Sequence, residues 1–236
     1  GGWAIPKILN GVKTQTRRAV RPQPNDSWAK GAHVAWNTYK NKLCWASQTS
    51  KGEIVSDLAC PYGQVGDLLW IKENWRVGAW DEDNGTVALD YSADNFCRRE
   101  WLTPSEDHFD RLWQQSTDDA LAAGVLEDED GKFHWEVGKS PCRWRPSIFM
   151  PRWASRLTLT VTSIRVERLR DITEEDALAE GIDVSQTTTL TPVLAFSIVW
   201  DAINAKRGFG WDQNPWLWVI GFRLKGVADG PVKEVT

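Results

Sequence analysis

Apolar residues fall into alternating runs in three parts of this chain and into helical spacing in two others. Residues 67–77 hold a short apolar run followed by alternation, which predicts a strand entered from the turn Tyr62-Gly63-Gln64-Val65-Gly66. Residues 156–169 alternate cleanly, with Leu157, Leu159, Val161 and then Ile164 or Val166 facing inward. The change of phase near Ser163 predicts a bulge or bend. Residues 216–224, following Pro215, read as a third strand. Between the last two strands, Thr173 is placed to cap a helix whose first turn holds Glu174, Glu175 and Asp176 and which Gly181 ends. A second helix is predicted over 192–206, with Val193, Phe196, Ile198, Val199, Trp200 and Ile203 making a broad apolar side before Gly208. A short apolar segment, Ile5-Pro6-Lys7-Ile8-Leu9, reads as an opening helix stopped by Gly11.

The stretches between these elements are polar, dotted with tryptophan and rich in Gly, Asp and Asn. They are read as insertions at about residues 21–60 and 78–141 on a single α+β domain spanning 1–236, a second small domain being the alternative. Within the second stretch, Asp119-Ala-Leu-Ala-Ala-Gly124 echoes Asp176-Ala-Leu-Ala-Glu-Gly181, a likeness of helix grammar. The echo has Ala123 where the other copy has Glu180, so such a helix forms without that carboxylate.

Composition changes the picture at one point. Sixteen tryptophans stand against three tyrosines and seven phenylalanines, a surplus that fills a core or offers flat faces to bases and sugars. The net charge of −4 excludes a protein that coats duplex DNA by charge alone. Charge is nevertheless segregated: residues 7–21 carry five cations and no acid, 143–156 four arginines and no acid, and 106–136 ten carboxylates against two cations. Cys44, Cys60, Cys97 and Cys142 are widely spaced, and His33, His108 and His134 have no metal or triad spacing, so neither a zinc site nor a disulfide framework is expected. No metal and no organic cofactor is implied. Glycine-rich phosphate loops are missing from the sequence, which removes support for nucleotide-triphosphate hydrolysis and dinucleotide binding. Without an apolar run of membrane-spanning length or a signal-peptide pattern, a reduced cytoplasmic protein is expected.

The densest chemistry lies in Lys13-Thr14-Gln15-Thr16-Arg17-Arg18. If the segment is extended, Thr14, Thr16 and Arg18 share one face and Lys13, Gln15 and Arg17 the other. A turn would instead bring Lys13 and Thr16 together. An amine crowded by guanidinium groups is favoured in its neutral, basic form and can activate a hydroxyl, or the run is a phosphate-binding or solvated loop. Glu180 sits in the last turn of its helix, an unfavourable end for a negative charge, so a cation from elsewhere, with 13–18 as a candidate, would hold it there. The segment 143–156 brackets a proline-stiffened apolar loop with Arg-Trp pairs. Arg145 and Arg152 are placed to grip phosphates and Trp153 to stack a base; packing against the core is the alternative.

With those residues in hand, the chain resembles the ASCH family, small barrels related to the PUA RNA-binding fold. The likeness rests on Gly11-x-Lys13-Thr14-x-Thr16-x-Arg18, on Val65-Gly66-Asp67, on the Ile172-Thr173-Glu174-Glu175 helix that carries Glu180, and on Trp218-Val219-Ile220-x-Phe222. It is similar in particular to longer ASCH proteins of phages and prophages, through Cys60-Pro61-Tyr62-Gly63, Trp144-Arg145-Pro146-Ser147-Ile148, Met150-Pro151-Arg152-Trp153 and Trp200-Asp201-x-Ile203-Asn204. The resemblance implies a PUA-like mixed β-barrel with flanking helices and long insertions. In a compact bacterial branch it implies an amidohydrolase that removes the acyl group of N4-acetylcytidine, with Lys13 as base, Thr16 as nucleophile and Glu180 as third member. Thr14, Arg17, Arg18, Arg145, Arg152 and Trp153 are then substrate-binding candidates, the partner is a modified nucleoside, and no metal is needed. Other members of the family are linked to RNA cleavage or nucleic-acid binding, so a non-catalytic module for single-stranded RNA or DNA and a metal-independent ribonuclease stay open beside it.

Overall fold

A computed structural model describes residues 2–24, 33–37, 42–49, 52–97, 100–185 and 189–227. The described residues divide into two compact units. One is built from 2–6, 70–158 and 226–227, the other from 7–69 and 159–225. The protein is α+β, and among the described residues its strands form three sheets. No helix among them is long and apolar enough to cross a membrane.

The second unit is organised by a four-stranded sheet in the order β1 (Gln15–Ala19), β10 (Trp216–Val227), β9 (Leu157–Arg168), β5 (Leu68–Trp70). Every residue from Trp216 to Phe222 is buried, the signature of a central strand covered on both faces. β1 runs antiparallel to β10, with Thr16 opposite Ile220 and Arg17 opposite Val219. β9 changes phase at Thr162 and Ser163, both exposed between buried Val161 and Ile164, as the spacing predicts. Gly221 on β10 makes room there: a Cβ on it would lie 2.3 Å from Ser163 Oγ. One face of the sheet carries Trp216, Trp218, Ile220 and Val161 and packs with Trp45 and Cys60. Trp45 comes from β3 (Lys42–Thr49), the middle strand of a sheet with β2 (His33–Asn37) and β4 (Gly52–Ala59), and meets Trp216 and Trp218 edge-on. Part of the segment 21–60 lies outside the described residues, but its strands thus build core. The other face carries Leu217 and packs with Leu169, Ile172, Ala177, Phe196 and Trp200.

The helices of this unit follow their sequence signals. α3 (Glu174–Ala179) opens on Thr173, whose side chain accepts from the Asp176 amide, and Gly181 leaves it at φ +88°. α4 (Pro192–Asn204) has Thr191 as cap and proline in its first turn, and ends two residues earlier than predicted, followed by a short 3-10 turn. Its apolar side is narrower than the spacing suggests. Phe196 and Trp200 are buried, whereas Ile198 and Ile203 are more than half exposed.

The first unit holds an antiparallel sheet of β6 (Trp75–Asp81), β7 (Thr86–Tyr91) and β8 (Phe96–Cys97), together with α2 (Glu106–Ala122). The single strand expected over 67–77 is in fact two, β5 and β6. Between them Glu73 turns inward to a paired hydrogen bond with Arg156, at 2.9 and 2.8 Å; the Ile71 amide still donates to Leu157 O, and residues 72–74 lie outside the strands. α2 extends the short 119–124 echo back to Glu106. Phe109, Leu112, Ser116 and Ala120 bury one face of it, at spacings of three and four, against Trp75, Val77, Leu89 and Cys142. Cys44, Cys60 and Cys142 are buried; the Cys97 side chain lies outside the described residues.

Candidate functional site

The entry to β1 is fixed from both sides. Gly11, at φ +70°, lets the chain turn back after α1 (Ala4–Leu9), and the amides of Val12 and Lys13 both donate to the Lys7 carbonyl. The Thr14 amide then donates to Ala179 O, while the Thr14 carbonyl accepts from Phe222 N. The segment is therefore extended, and alternation follows. Lys13, Gln15 and Arg17 are buried, Thr16 and Ala19 half-buried, and Thr14 and Arg18 exposed.

The inward set meets α3. Lys13 Nζ donates to Glu180 Oε2 at 2.7 Å, to the Glu180 carbonyl at 2.7 Å and to the Gln15 carbonyl at 2.9 Å. The ammonium thus caps the C-terminus of α3 and neutralises the carboxylate placed there, so a glutamate at the wrong end of a helix dipole is held by a cation from the entry to β1. Beside it the Arg17 guanidinium is fully enclosed. It reaches Glu167 Oε1 at 2.6 Å, Asp176 Oδ2 at 2.9 Å and Glu180 Oε1 at 3.4 Å, and stands 5.8 Å from the centre of the Phe196 ring. Arg165 closes the outer side on Glu167 and Asp176, at 3.0 and 2.9 Å, and Gln15 Nε2 donates to Asp176. Three cations and three carboxylates alternate in one network beneath α3 and α4.

Burial draws the Lys13 ammonium below its ordinary value. Glu180 opposes that shift, while Arg18 and Arg17 add to it. Burial works the other way on Asp176, but Gln15, Arg17 and Arg165 outweigh it and hold that carboxyl below the usual range. A lysine amine that loses its proton more readily than in water, held by a buried carboxylate, is suited to take and return a proton.

Thr16 is placed differently. Directly opposed residues of an antiparallel pair share a face, and Thr16 faces Ile220 on the tryptophan side of the sheet, whereas Lys13 and Arg17 lie on the side of α3. Thr16 Oγ1 accepts its hydrogen bond from Arg18 Nη1 at 2.7 Å. Of the residues singled out from sequence, the fold brings together Lys13, Arg17 and Glu180, and separately Thr16 and Arg18; Thr14 serves through its backbone.

Arg145, Arg152 and Trp153 belong to the first unit. Arg145 exchanges backbone hydrogen bonds with Trp75 and places its guanidinium 5.3 Å from the centre of that ring, which Trp153 meets edge-on. Arg152 is exposed, 5.9 Å from the Trp70 ring centre. Sequence reasoning missed Arg165, Glu167 and Gln15 as network members and took Asp176 only for a helix-start carboxylate. The available signal was the alternation of charge on β9, Arg165-x-Glu167, which puts opposite charges on one face of a strand. Among the described residues no group of histidines, cysteines and carboxylates has the makings of a metal site. Compared with protein-family models, curated proteins and solved structures, the chain matches none.

Proposed function

We propose that the protein is an amidohydrolase of an N-acylated, cytidine-like nucleoside, with Lys13 as its acid–base group and Glu180 as the positioning carboxylate. In this reading the sheet β1-β10-β9-β5 is the core of an ASCH-type, PUA-like domain. The observation that supports it is the buried Lys13–Glu180 contact at 2.7 Å, in which the amine is shifted toward its basic form. The neutral Lys13 amine takes a proton from water, and the resulting hydroxide attacks the acyl carbon, moving the carbonyl electron pair onto oxygen. As the tetrahedral intermediate collapses, the C–N bond breaks and the Lys13 ammonium returns its proton to the departing nitrogen, leaving a carboxylic acid and a free amino base. Water is assigned the attack because the Thr16 hydroxyl, the nucleophile that the resemblance implies, faces the opposite side of β1 from Lys13.

The test is release of cytidine from N4-acetylcytidine, followed by chromatography. Wild type turns over, Lys13→Ala does not, and Thr16→Ala retains most of the rate. Turnover unchanged in Lys13→Ala removes the mechanism. Loss of turnover in a folded Thr16→Ala returns the attack to the threonine.

A further inference from the structure

A basic groove in the first unit belongs to none of this chemistry. It has a volume of about 540 Å³ and is framed by the α2 residues Arg111 and Gln115, by Arg143, Trp144 and Arg145, and by Phe149 and Trp153 with Trp75 beneath. Its rim is unusually apolar for a surface: Trp144 is 42% and Phe149 71% exposed. One side of the Trp144 ring is taken by the Arg76 guanidinium, 4.6 Å from its centre. An indole backed by a cation is held flat, ready to receive a second planar group.

The polar atoms of the groove are underused. The Arg145 guanidinium donates one hydrogen bond, to Gln115 Oε1 at 3.3 Å, while its Nη1 is buried with no hydrogen-bond partner in the structure; Trp153 Nε1 and Trp75 Nε1 are in the same state. Arg111 donates Nε to the Asp107 carbonyl, and among the described residues neither it nor Arg145 is ion-paired to a carboxylate. Arg143 has a partial partner in Asp119, 3.6 Å away. Unsatisfied buried donors and unpaired guanidinium groups in a cleft call for an anion with acceptor oxygens. Exposed flat rings beside them call for a planar apolar group.

Both demands are met by one chemistry. We propose that this groove binds single-stranded nucleic acid, with backbone phosphates on Arg111 and Arg145 and bases stacked on Trp144 and Phe149. A proline-rich peptide would fit the rings but leave the arginines without counter-charge. The inference stands apart from the amidohydrolase reading, since the groove holds neither Lys13 nor Glu180.

The experiment is fluorescence anisotropy of a fluorescein-labelled oligouridylate or oligothymidylate of about ten nucleotides, titrated with the full chain at low salt. Saturable binding is expected, weakening as salt rises with a log–log slope of about −0.7 for each phosphate engaged. Arg111→Ala and Phe149→Ala, both at exposed positions that leave folding intact, weaken it about tenfold, and Arg111→Ala also flattens the salt slope. The readout is binding alone, which separates this inference from the fate of the amidohydrolase reading. Cytidine monophosphate and a proline-rich peptide compete only weakly. The inference is overturned by absence of saturable binding, by binding indifferent to salt, by wild-type affinity in both groove variants, or by either competitor displacing the strand at matched concentration.

Discussion

Lys13 Nζ and Glu180 Oε2 lie 2.7 Å apart across 167 positions of sequence, and both side chains are more than nine-tenths buried. The pair joins the entry to β1 to the C-cap of α3, and each partner answers a problem of the other. The carboxylate compensates an ammonium removed from water, and the ammonium compensates a charge at the unfavourable end of a helix.

The pH dependence of turnover should read this pair directly. Glu180 raises the Lys13 value against the lowering effect of burial. Removing its charge in Glu180→Gln therefore lowers the amine further. The ascending limb of kcat/KM, which reports deprotonation of the base in the free enzyme, lies below the ordinary lysine range in wild type and moves to still lower pH in the variant. A limb that stays in place, with only the plateau reduced, would mean that the carboxylate acts on something other than Lys13.

Arg17 is the centre of the charge network, and its loss should be the costliest single change in this unit. Its side chain is fully enclosed among Glu167, Asp176 and Glu180. Arg17→Met leaves three carboxylates facing one another with Lys13 and Arg165 as the remaining cations. Breaking such a buried array by removing one partner costs about 3–5 kcal/mol, measured by urea unfolding. Arg17→Lys recovers little, because a point charge cannot span the same acceptors as a planar fork. The acid limb follows with a definite sign. Asp176 is held below its unfolded value, so its contribution is full above that value and is lost as pH falls through the folded one. Wild type thus loses stability below about pH 4, and Arg17→Met loses less over that range.

How much of this was legible in the sequence depends on whether the deciding contact is local. Thr173, Gly181, Thr191 and Pro192 announce α3 and α4 because capping and αL geometry are settled within a few residues. The alternation of β9, including its slip at Ser163, is equally local. The Lys13–Glu180 pairing was reachable by an electrostatic argument, since a carboxylate at a helix C-terminus needs a cation. The face of Thr16 was not decided at that level. An extended segment and a turn were both compatible with Lys13 through Arg18, and the bonds that settle it, from Thr14 to Ala179 and Phe222, come from distant elements. The break between β5 and β6 was hidden for the same reason. Glu73 reads as the polar beat of an alternating strand until Arg156 is known to lie inside.

The other unit has its own buried ion pair, and it makes a parallel prediction. Arg156 grips Glu73 through two nitrogens and Asp94 through two more hydrogen bonds, with its guanidinium 4.4 Å from the Tyr91 ring centre. Glu73→Ala leaves a guanidinium 1% exposed without the carboxylate that its two nitrogens grip, the partly open Asp94 staying beside it. Unfolding should come about 3–5 kcal/mol sooner. Glu73→Gln, which keeps the shape and one acceptor, should lose clearly less. Equal losses would show that the cavity rather than the charge sets the cost.

The two echoed helix ends offer the most discriminating comparison. Gly124 and Gly181 both follow a short Asp-Ala-Leu-Ala turn and both adopt positive φ, +79° and +88°. Alanine at either position incurs the left-handed backbone penalty of about 1–2 kcal/mol. At Gly124 that is the whole effect, since a Cβ there has nothing within 4 Å. At Gly181 a Cβ would stand 3.1 Å from Lys7 Cδ and 3.2 Å from Lys13 Cβ. Lys7 can swing aside only by giving up the hydrogen bond that its amine donates to the Gly181 carbonyl. Lys13 cannot do so without moving its amine away from Glu180, because its Cβ is fixed by the backbone of the strand entry. Gly181→Ala is therefore expected to destabilise more than Gly124→Ala in urea unfolding. It should also lower kcat in the cytidine-release assay, while Gly124→Ala leaves that rate unchanged. Equal behaviour of the two variants in both measurements would show that the backbone at residue 181, and not its approach to Lys13, is all that the glycine serves.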